Sequence, residues 1–323
     1  MDAKVTVVIV NWNGEPFLER CLSALAEQTL KPHDIILVDN ASTDRSAAII
    51  QQFPNMRLIA LDRNTGFAYA NNLAIRLASE ASVWIALINT DAFAEPRWLE
   101  ELLLSAQRNP AFAVFGSRLL KASDPSTLDG VGDVYHMSGL VWRMGHGMPT
   151  TAEHEREVFS PCAAAALYRR SALRELDGFD EDYFCYLEDV DLGFRLRLAG
   201  YHCLSVPQSV AHHVGSGTTG GQHSDFAIYH GHRNLVWTFV KDMPGVLFWL
   251  LLPLHLMLNL VSLIWFAWRG QGRVMWQAKR DAVLGLPRMW RKRQQIQNNR
   301  RASVAAIWRV LDKQLFPISR KKP

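Results

Sequence analysis

The sequence predicts an α/β fold, an open and mostly parallel sheet flanked by helices. Three observations predict it. Val5–Val10 (VTVVIV) is an unbroken run of β-branched residues, as expected of a strand buried on both faces of a parallel sheet. Strand-like and helix-like segments then alternate through the first 115 residues, the pattern of a doubly wound sheet. Polar residues also recur at or just after the ends of the strands: Asn11, Asp39, Asn64 and Asp91. In such sheets ligands bind beyond the carboxyl ends of the strands.

The elements follow in order. Asn11-Trp12-Asn13-Gly14 is a turn, and Pro16 suits the first turn of a helix running to about Gln28. Ile35–Val38 is the second strand, followed by Asp39-Asn40-Ala41-Ser42-Thr43-Asp44. Ser42 or Thr43 can cap a helix reaching Phe53. Met56–Leu61 is the third strand, and Asn64-Thr65-Gly66 leads into a helix over Phe67–Ser79. Val83–Ile88 is the fourth strand and ends in Asn89-Thr90-Asp91. Pro96 opens a helix to about Arg108, and Ala113–Phe115 is a short fifth strand. Residues 118–160 are weakly periodic and predict loops and short strands that shape a substrate cleft. Phe159–Leu167 (FSPCAAAAL) is either tight core packing or a floor that lets a substrate approach the backbone.

The stretch from Asp177 to Tyr201 carries seven carboxylates together with Phe179, Tyr183, Phe184 and Tyr186. Val190, Phe194 and Leu198 recur at helical spacing, and Gly200 ends the run. Glu188, Asp189 and Asp191 therefore stand at a helix N-terminus, where acids complement the macrodipole. Apolar walls beside several carboxylates also suit a general base. Asp191 and Arg195 have the spacing of a helix ion pair. A strand over His202–Val206 precedes a loop with His212, His213 and Val214-Gly215-Ser216-Gly217-Thr218, which can fold over a diphosphate. A helix over Ser224–Met243 carries Arg233-Asn234, either a contact for an acceptor phosphate or sugar or a solvated face.

Bulk numbers exclude several classes. The chain has 323 residues and a net charge of +4, but residues 269–323 hold 15 Lys/Arg against two acids, so residues 1–268 carry −9 (4 − 13). An acidic body with a basic tail suggests an anchor to anionic lipid. The tail has no nucleic-acid-binding motif, so nucleic acid is not an expected partner. Val246–Trp268 is 23 residues without charge, long enough to span a bilayer. Pro253 interrupts it, and a single span would put the basic tail outside, against the positive-inside rule. A re-entrant or interfacial helix pair fits better. Cys21, Cys162, Cys185 and Cys203 have no metal spacing and read as reduced thiols. The N-terminus reads as a strand rather than a signal peptide. No GxGxxG follows the first strand, and GxxxxGK[ST] is absent, which argues against a nicotinamide-binding domain and a P-loop NTPase. Phosphates would then be neutralised another way, and a divalent cation held by Asp91 is the natural candidate, since Mg²⁺ favours one or two carboxylates plus substrate phosphates.

In combination, VVIVNWNG, VDNASTD, NTGFAYANN, Asn89-Thr90-Asp91, GFDEDYFCYLEDVDLGFRLRLAGY and the His213-Val214-Gly215-Ser216 loop resemble family 2 glycosyltransferases, closest to the rhamnosyltransferase-like branch. The resemblance covers about residues 4–240. It implies a GT-A fold, with a Rossmann-like nucleotide-sugar half (1–117) and an acceptor half (118–243), followed by a membrane-associated segment (244–323). It implies an inverting transfer from a dTDP- or UDP-sugar to a glycan or lipid-linked acceptor, at the cytoplasmic face of the inner membrane. By the same resemblance, Asp39 reads the base edge and Asn11 lies along the nucleoside. Asn64, Gly66 and Asn71 line the donor pocket. Asn89-Thr90-Asp91 stands where the family has DxD, so Asp91 is the expected ligand for Mg²⁺ or Mn²⁺ and Asn89 a weaker partner. Asp189 is the expected base, beside Glu188. His213 is the expected loop ligand, with His212 second. Asn89 in place of an acid keeps one alternative open, a non-catalytic membrane-docking protein with a degenerate nucleotide-sugar domain.

Overall fold

The computed structural model describes residues 4–151, 154–215, 217, 220–221 and 223–314. Its first half alternates β1 (Val5–Asn11), α1 (Glu15–Ala26), β2 (Asp34–Asp39), α2 (Ser46–Ile50), β3 (Arg57–Ala60), α3 (Gly66–Leu77) and β4 (Trp84–Asn89). β1 pairs in parallel with β2 and β4, and β2 with β3. β5 (Ala92–Ala94), α4 (Trp98–Arg108) and β6 (Val114–Lys121) follow. The connection back to the sheet contains β7 (Asp124–Gly130), β8 (Asp133–Tyr135), β9 (Val141–Arg143) and β10 (Arg156–Val158). β11 (Ala165–Arg169) then enters antiparallel between β4 and β6. The long path of the sheet runs β10, β12, β6, β11, β4, β1, β2, β3, where β12 is Cys203–His213. The register puts Asn11 opposite Asp39 and Val10 opposite Asn89, so these strand ends share one edge.

Three local expectations change. α2 is short and starts at Ser46 without a side-chain cap, because Ser42 is engaged elsewhere: its Oγ donates to Asp39 Oδ1 and accepts from Asn11 and the Asn13 amide. The strand expected over His202–Val206 continues to His213, with an irregularity between Val206 and Val210 that accommodates Pro207. The alanine run divides its two readings. Ala165 and Ala166 are packed in the sheet, whereas Ala163 and Ala164 line the main cavity.

The second half adds α5 (Arg170–Glu175), a 3-10 turn (Glu181–Tyr183), α6 (Glu188–Leu198), α7 (Asp225–Asp242), α8 (Gly245–Trp268), α9 (Gly272–Asn298) and α10 (Val304–Val310). Pro253 and Pro287 lie inside α8 and α9 without ending them. One apolar core joins Phe159, Tyr183 and Phe194 to Phe239, Leu247, Met289 and Ile307, so no break in packing falls at residue 243. Several cations of the expected lipid-binding tail are turned inward here. Lys292 pairs with Asp182 at 2.7 Å and with Asp180, Arg288 with Asp182 at 2.9 Å, and Arg301 with Glu175 at 2.8 Å. Arg293 is buried against the carbonyls of Val240 and Met243. Arg320-Lys321-Lys322 lie outside the described residues.

Beneath α9, Lys241 is fully buried between Asp180, at 2.6 Å, and Asp191. Asp191 also holds Arg195 at 2.8 Å, the helix pair read from the spacing. Burial disfavours charge on Asp180, but Lys241 and Lys292 together hold its carboxyl well below the usual range.

Candidate active site

A cavity of about 610 Å³ lies beyond the carboxyl ends of β1 and β4. Its walls include Trp12, Asn64, Asn89, Asp91, Asp189 and His213. Trp12 follows directly on β1. Gly14 leaves no room for a side chain, since a Cβ would stand 2.3 Å from Asn11 Oδ1.

The donor side is built as follows. Asp39 is half-buried at the end of β2; its neighbour Asn40 lines the cavity, but Asp39 itself does not. Its Oδ1 accepts from Asn11 Nδ2 at 2.8 Å and from Ser42 Oγ at 2.6 Å. Asn11 has no exposed surface, so it braces Asp39 and does not lie along a ligand. Asn64 and Gly66 are on the wall, and Asn64 Oδ1 accepts from Asn40 Nδ2 and from the Gly66 amide, both at 2.9 Å. Gly66 has φ +85°, and a Cβ would meet Phe184 at 2.6 Å. Asn71 is buried in α3 with its amide on the Phe67 carbonyl, and it does not reach the cavity.

Asp91 and His213 meet across the sheet edge, Oδ1 to Nε2 at 3.3 Å. Nδ1 of His213 lies 2.7 Å from Asp129 Oδ2, so Asp129 fixes the ring and its tautomer. Nε2 is buried, and among the described residues its polar contact is the long one to Asp91, which leaves it short of a well-formed hydrogen bond. Strand alternation turns His212 to the opposite face, where it contacts Glu95 at 3.1 Å. His212 is therefore removed from the expected metal set. Burial opposes charge on His213, yet its bonds to Asp129 and Asp91 raise its pKa overall. Burial likewise opposes charge on Asp91, but His213 and the Gly217 amide hold its carboxyl below the ordinary range. Among the described residues no group of three or more His, Cys, Asp or Glu is arranged around a metal position. Two protein ligands, with Nε2 short of a well-formed hydrogen bond, nevertheless fit a Mg²⁺ or Mn²⁺ ion completed by substrate phosphates. Ser216 and Thr218 of the expected diphosphate loop lie outside the described residues.

Asp189 is half-buried on the opposite wall. Its Oδ2 accepts from the Ala163 amide at 3.1 Å and its Oδ1 from the Val190 amide at 2.8 Å. Burial raises its pKa above the carboxylate norm, against the pull of Ala163 and Arg143. Asp133 lies in the same wall with Ser160 at 3.1 Å, and burial followed by the charge of Asp189 pushes it up to about 7. Glu188 is buried, with Oε2 unpartnered, and burial and Asp189 raise its pKa well above normal. It makes no side-chain cap to α6. One acidic cluster thus gathers three carboxyls whose pKa values burial raises, and Asp189 is the least buried of them.

The segment before α6 is strained. Phe184, Tyr186 and Leu187 all have φ between 63° and 65°, a rare conformation for such residues. Asn234 holds them there. It is fully buried, and its Nδ2 faces the carbonyls of Tyr183, Cys185 and Tyr186 at 3.1, 2.9 and 2.7 Å. Arg233 donates to the Tyr183 carbonyl at 2.9 Å. The Arg233-Asn234 pair is neither a solvated face nor, for Asn234, a ligand contact.

Comparisons with known proteins bear on the family and the fold. The family model for "Glycosyl transferase family 2" matches residues 6–177. An N-acetylglucosaminyl-diphospho-decaprenol L-rhamnosyltransferase of Mycobacterium tuberculosis is 32% identical over 257 residues, covering 71% of this chain and 82% of that protein. The O-antigen chain rhamnosyltransferase RfbN of Salmonella typhimurium is 25% identical over 215 residues, covering 65% of this chain and 66% of that protein. Among solved structures, the mannosyltransferase PcManGT of Pyrobaculum calidifontis, in complex with GDP-Man and Mn²⁺, superposes with a TM-score of 0.55 at 18% identity. That match covers 95% of this chain and 86% of that one. At that identity the likeness shows the GT-A fold alone.

Proposed function

The chain belongs to glycosyl transferase family 2, and on that premise we propose how this glycosyltransferase works. It moves rhamnose or another hexose from a dTDP- or UDP-linked donor to a hydroxyl of a lipid-linked or cell-surface glycan acceptor, with inversion. The two related rhamnosyltransferases favour rhamnose. The observation that carries the mechanism is that Asp189 and the Asp91–His213 pair open onto one cavity at the end of the sheet.

Asp39, braced by Asn11 and Ser42, takes the base edge, and Trp12, Asn64 and Gly66 bound the donor. Asp91 and His213 would hold a divalent cation, which would neutralise charge developing on the leaving diphosphate. Asp189 takes the proton of the acceptor hydroxyl. The acceptor oxygen bonds to the anomeric carbon on the face opposite the departing diphosphate, which leaves with the electron pair of the broken bond. One base suffices for this displacement. Asn89 does not reduce the chain to a non-catalytic docking protein, because Asp91 and His213 meet without an acid at that position.

Residues 1–117 form the donor half and 118–243 the acceptor half. α8 and α9 rest on the anionic cytoplasmic membrane surface. α8 is long and apolar enough to cross a bilayer, but Trp249, Leu256 and Ile264 lie exposed along it beside Trp276, Val283 and Leu284 of α9. That shared apolar face suits a helix pair lying in the interface.

The test is a donor screen with Mg²⁺ or Mn²⁺ and a lipid-linked sugar diphosphate acceptor, reading nucleoside diphosphate release and the anomeric configuration of the product. Release from a dTDP- or UDP-sugar with inversion supports the proposal. Retention, or unchanged turnover after complete metal chelation, contradicts it.

A further inference from the structure

α7, α8 and α9 enclose a second space, an apolar groove of about 920 Å³ walled by Val240, Phe248, Leu252, Leu263, Leu286 and Trp290. At one end lies Lys279, only 8% exposed. Its ammonium donates to Asn259 Oδ1 at 2.5 Å and to the His232 carbonyl at 3.0 Å. Among the described residues no carboxylate pairs with it, whereas the other deeply buried lysine, Lys241, sits between two. A buried cation with only neutral partners is costly, and burial alone pushes Lys279 down to about 7.

Its position gives that charge a use. His232 and Phe266 line the catalytic cavity, while Lys279 and Asn259 line the groove. Lys279 therefore stands in a wall shared by the two. From there the groove runs out to Leu256 and Val283, which are 59% and 60% exposed on the apolar face of α8 and α9.

We propose that this groove holds the isoprenoid chain of a lipid-linked acceptor and that Lys279 pairs with the acceptor's diphosphate. The assignment rests on the glycosyl-transfer reading above and extends it to a site for the lipid. The order of chemistry selects the occupant. The cation is next to the catalytic cavity and the apolar walls lead away from it, so sugar, diphosphate and chain follow one another outward. A phospholipid acyl chain borrowed from the bilayer would enter tail first and leave its headgroup at the surface, with no use for an inner cation.

The test uses the full chain in detergent. Farnesyl diphosphate bearing a benzophenone is photo-crosslinked with and without competitors. Label is expected on α8 and α9, displaced by unlabelled farnesyl diphosphate and not by phosphatidylglycerol. Label elsewhere, or displacement by phosphatidylglycerol, overturns the assignment. K279Q should weaken capture at least tenfold without lowering Tm, because the ammonium has no anionic partner to lose. A fall in Tm with unchanged capture overturns the role of Lys279. In turnover, a sugar diphosphate with a farnesyl chain should show a KM at least tenfold below that of its methyl counterpart, and V283W at the groove rim should erase the difference. Equal KM values in an enzyme that turns over its donor reject the groove and leave the transferase reading intact. If no acceptor is glycosylated, the transferase reading fails, and the crosslinking pattern decides the groove by itself.

Discussion

The proposed base, Asp189, depends on the neighbours that share its wall. Burial and the charge of Asp189 raise both Asp133 and Glu188, which favours Asp189 as the carboxylate facing the cavity. The charge of Asp189 helps push Asp133 up, so Asp189 ionises while Asp133 is still protonated. D133N should therefore leave the acid limb of the kcat/KM–pH profile in place, since no charge is removed beside the ionising base. A shift of that limb to lower pH would show that Asp133 is charged when Asp189 ionises and would contradict this order. Asp129 fixes His213 in the same indirect way. D129N should weaken Mn²⁺ binding by roughly 10–100-fold, measured by titration calorimetry. Because metal and proton compete for His213, whose pKa is raised, Mn²⁺ affinity should fall as pH drops through that value. Asp91, Asp189 and His213 were legible because each stands at a strand or helix end that the alternating pattern locates. Asn11, Asn71 and His212 were legible as polar residues near the site, but not in their orientation. Strand alternation and helix phase turn them into the interior or onto another face. Asp129, Asp133 and Arg143 lie in a weakly periodic stretch, and nothing in their spacing marks them.

Among the elements, the loop before α6 carries the most stored strain, and α7 restrains it. N234L should leave the Cys185 and Tyr186 carbonyls without their donor, at a cost of about 2–4 kcal/mol. With the loop loosened, kcat should fall more than donor affinity does, because positioning of Asp189 is lost while Asp39, Asn64 and Asp91 are untouched. Steady-state kinetics beside chemical denaturation separate the two effects. The parallel strands were read closely because their apolar runs are bounded by turn residues. Two boundaries were missed for physical reasons. Ser42 serves Asp39 rather than α2, and β12 passes a proline through an irregularity that the sequence pattern reads as its end.

At the scale of the whole molecule, the C-terminal segment both covers the core around Phe194 and Phe239 and presents an apolar face to the outside. Its net charge suggested a free basic tail, but charge counting cannot tell a cation facing lipid from one facing Asp180 or Asp182. Deleting everything after Met243 would uncover Phe239 and Tyr183, so point changes are the cleaner probe of membrane contact. W249S/L256S/I264S should keep the fold and lose most binding to anionic vesicles in flotation. Retained binding would place the membrane contact elsewhere. The account depends most on one base serving a donor held across the same cavity. Single-turnover transfer from a preformed donor complex, compared between wild type and D189N, tests it most directly. Donor affinity should be unchanged while the transfer rate drops roughly 10²–10⁴-fold. A D189N enzyme that transfers sugar at the wild-type rate would contradict the account.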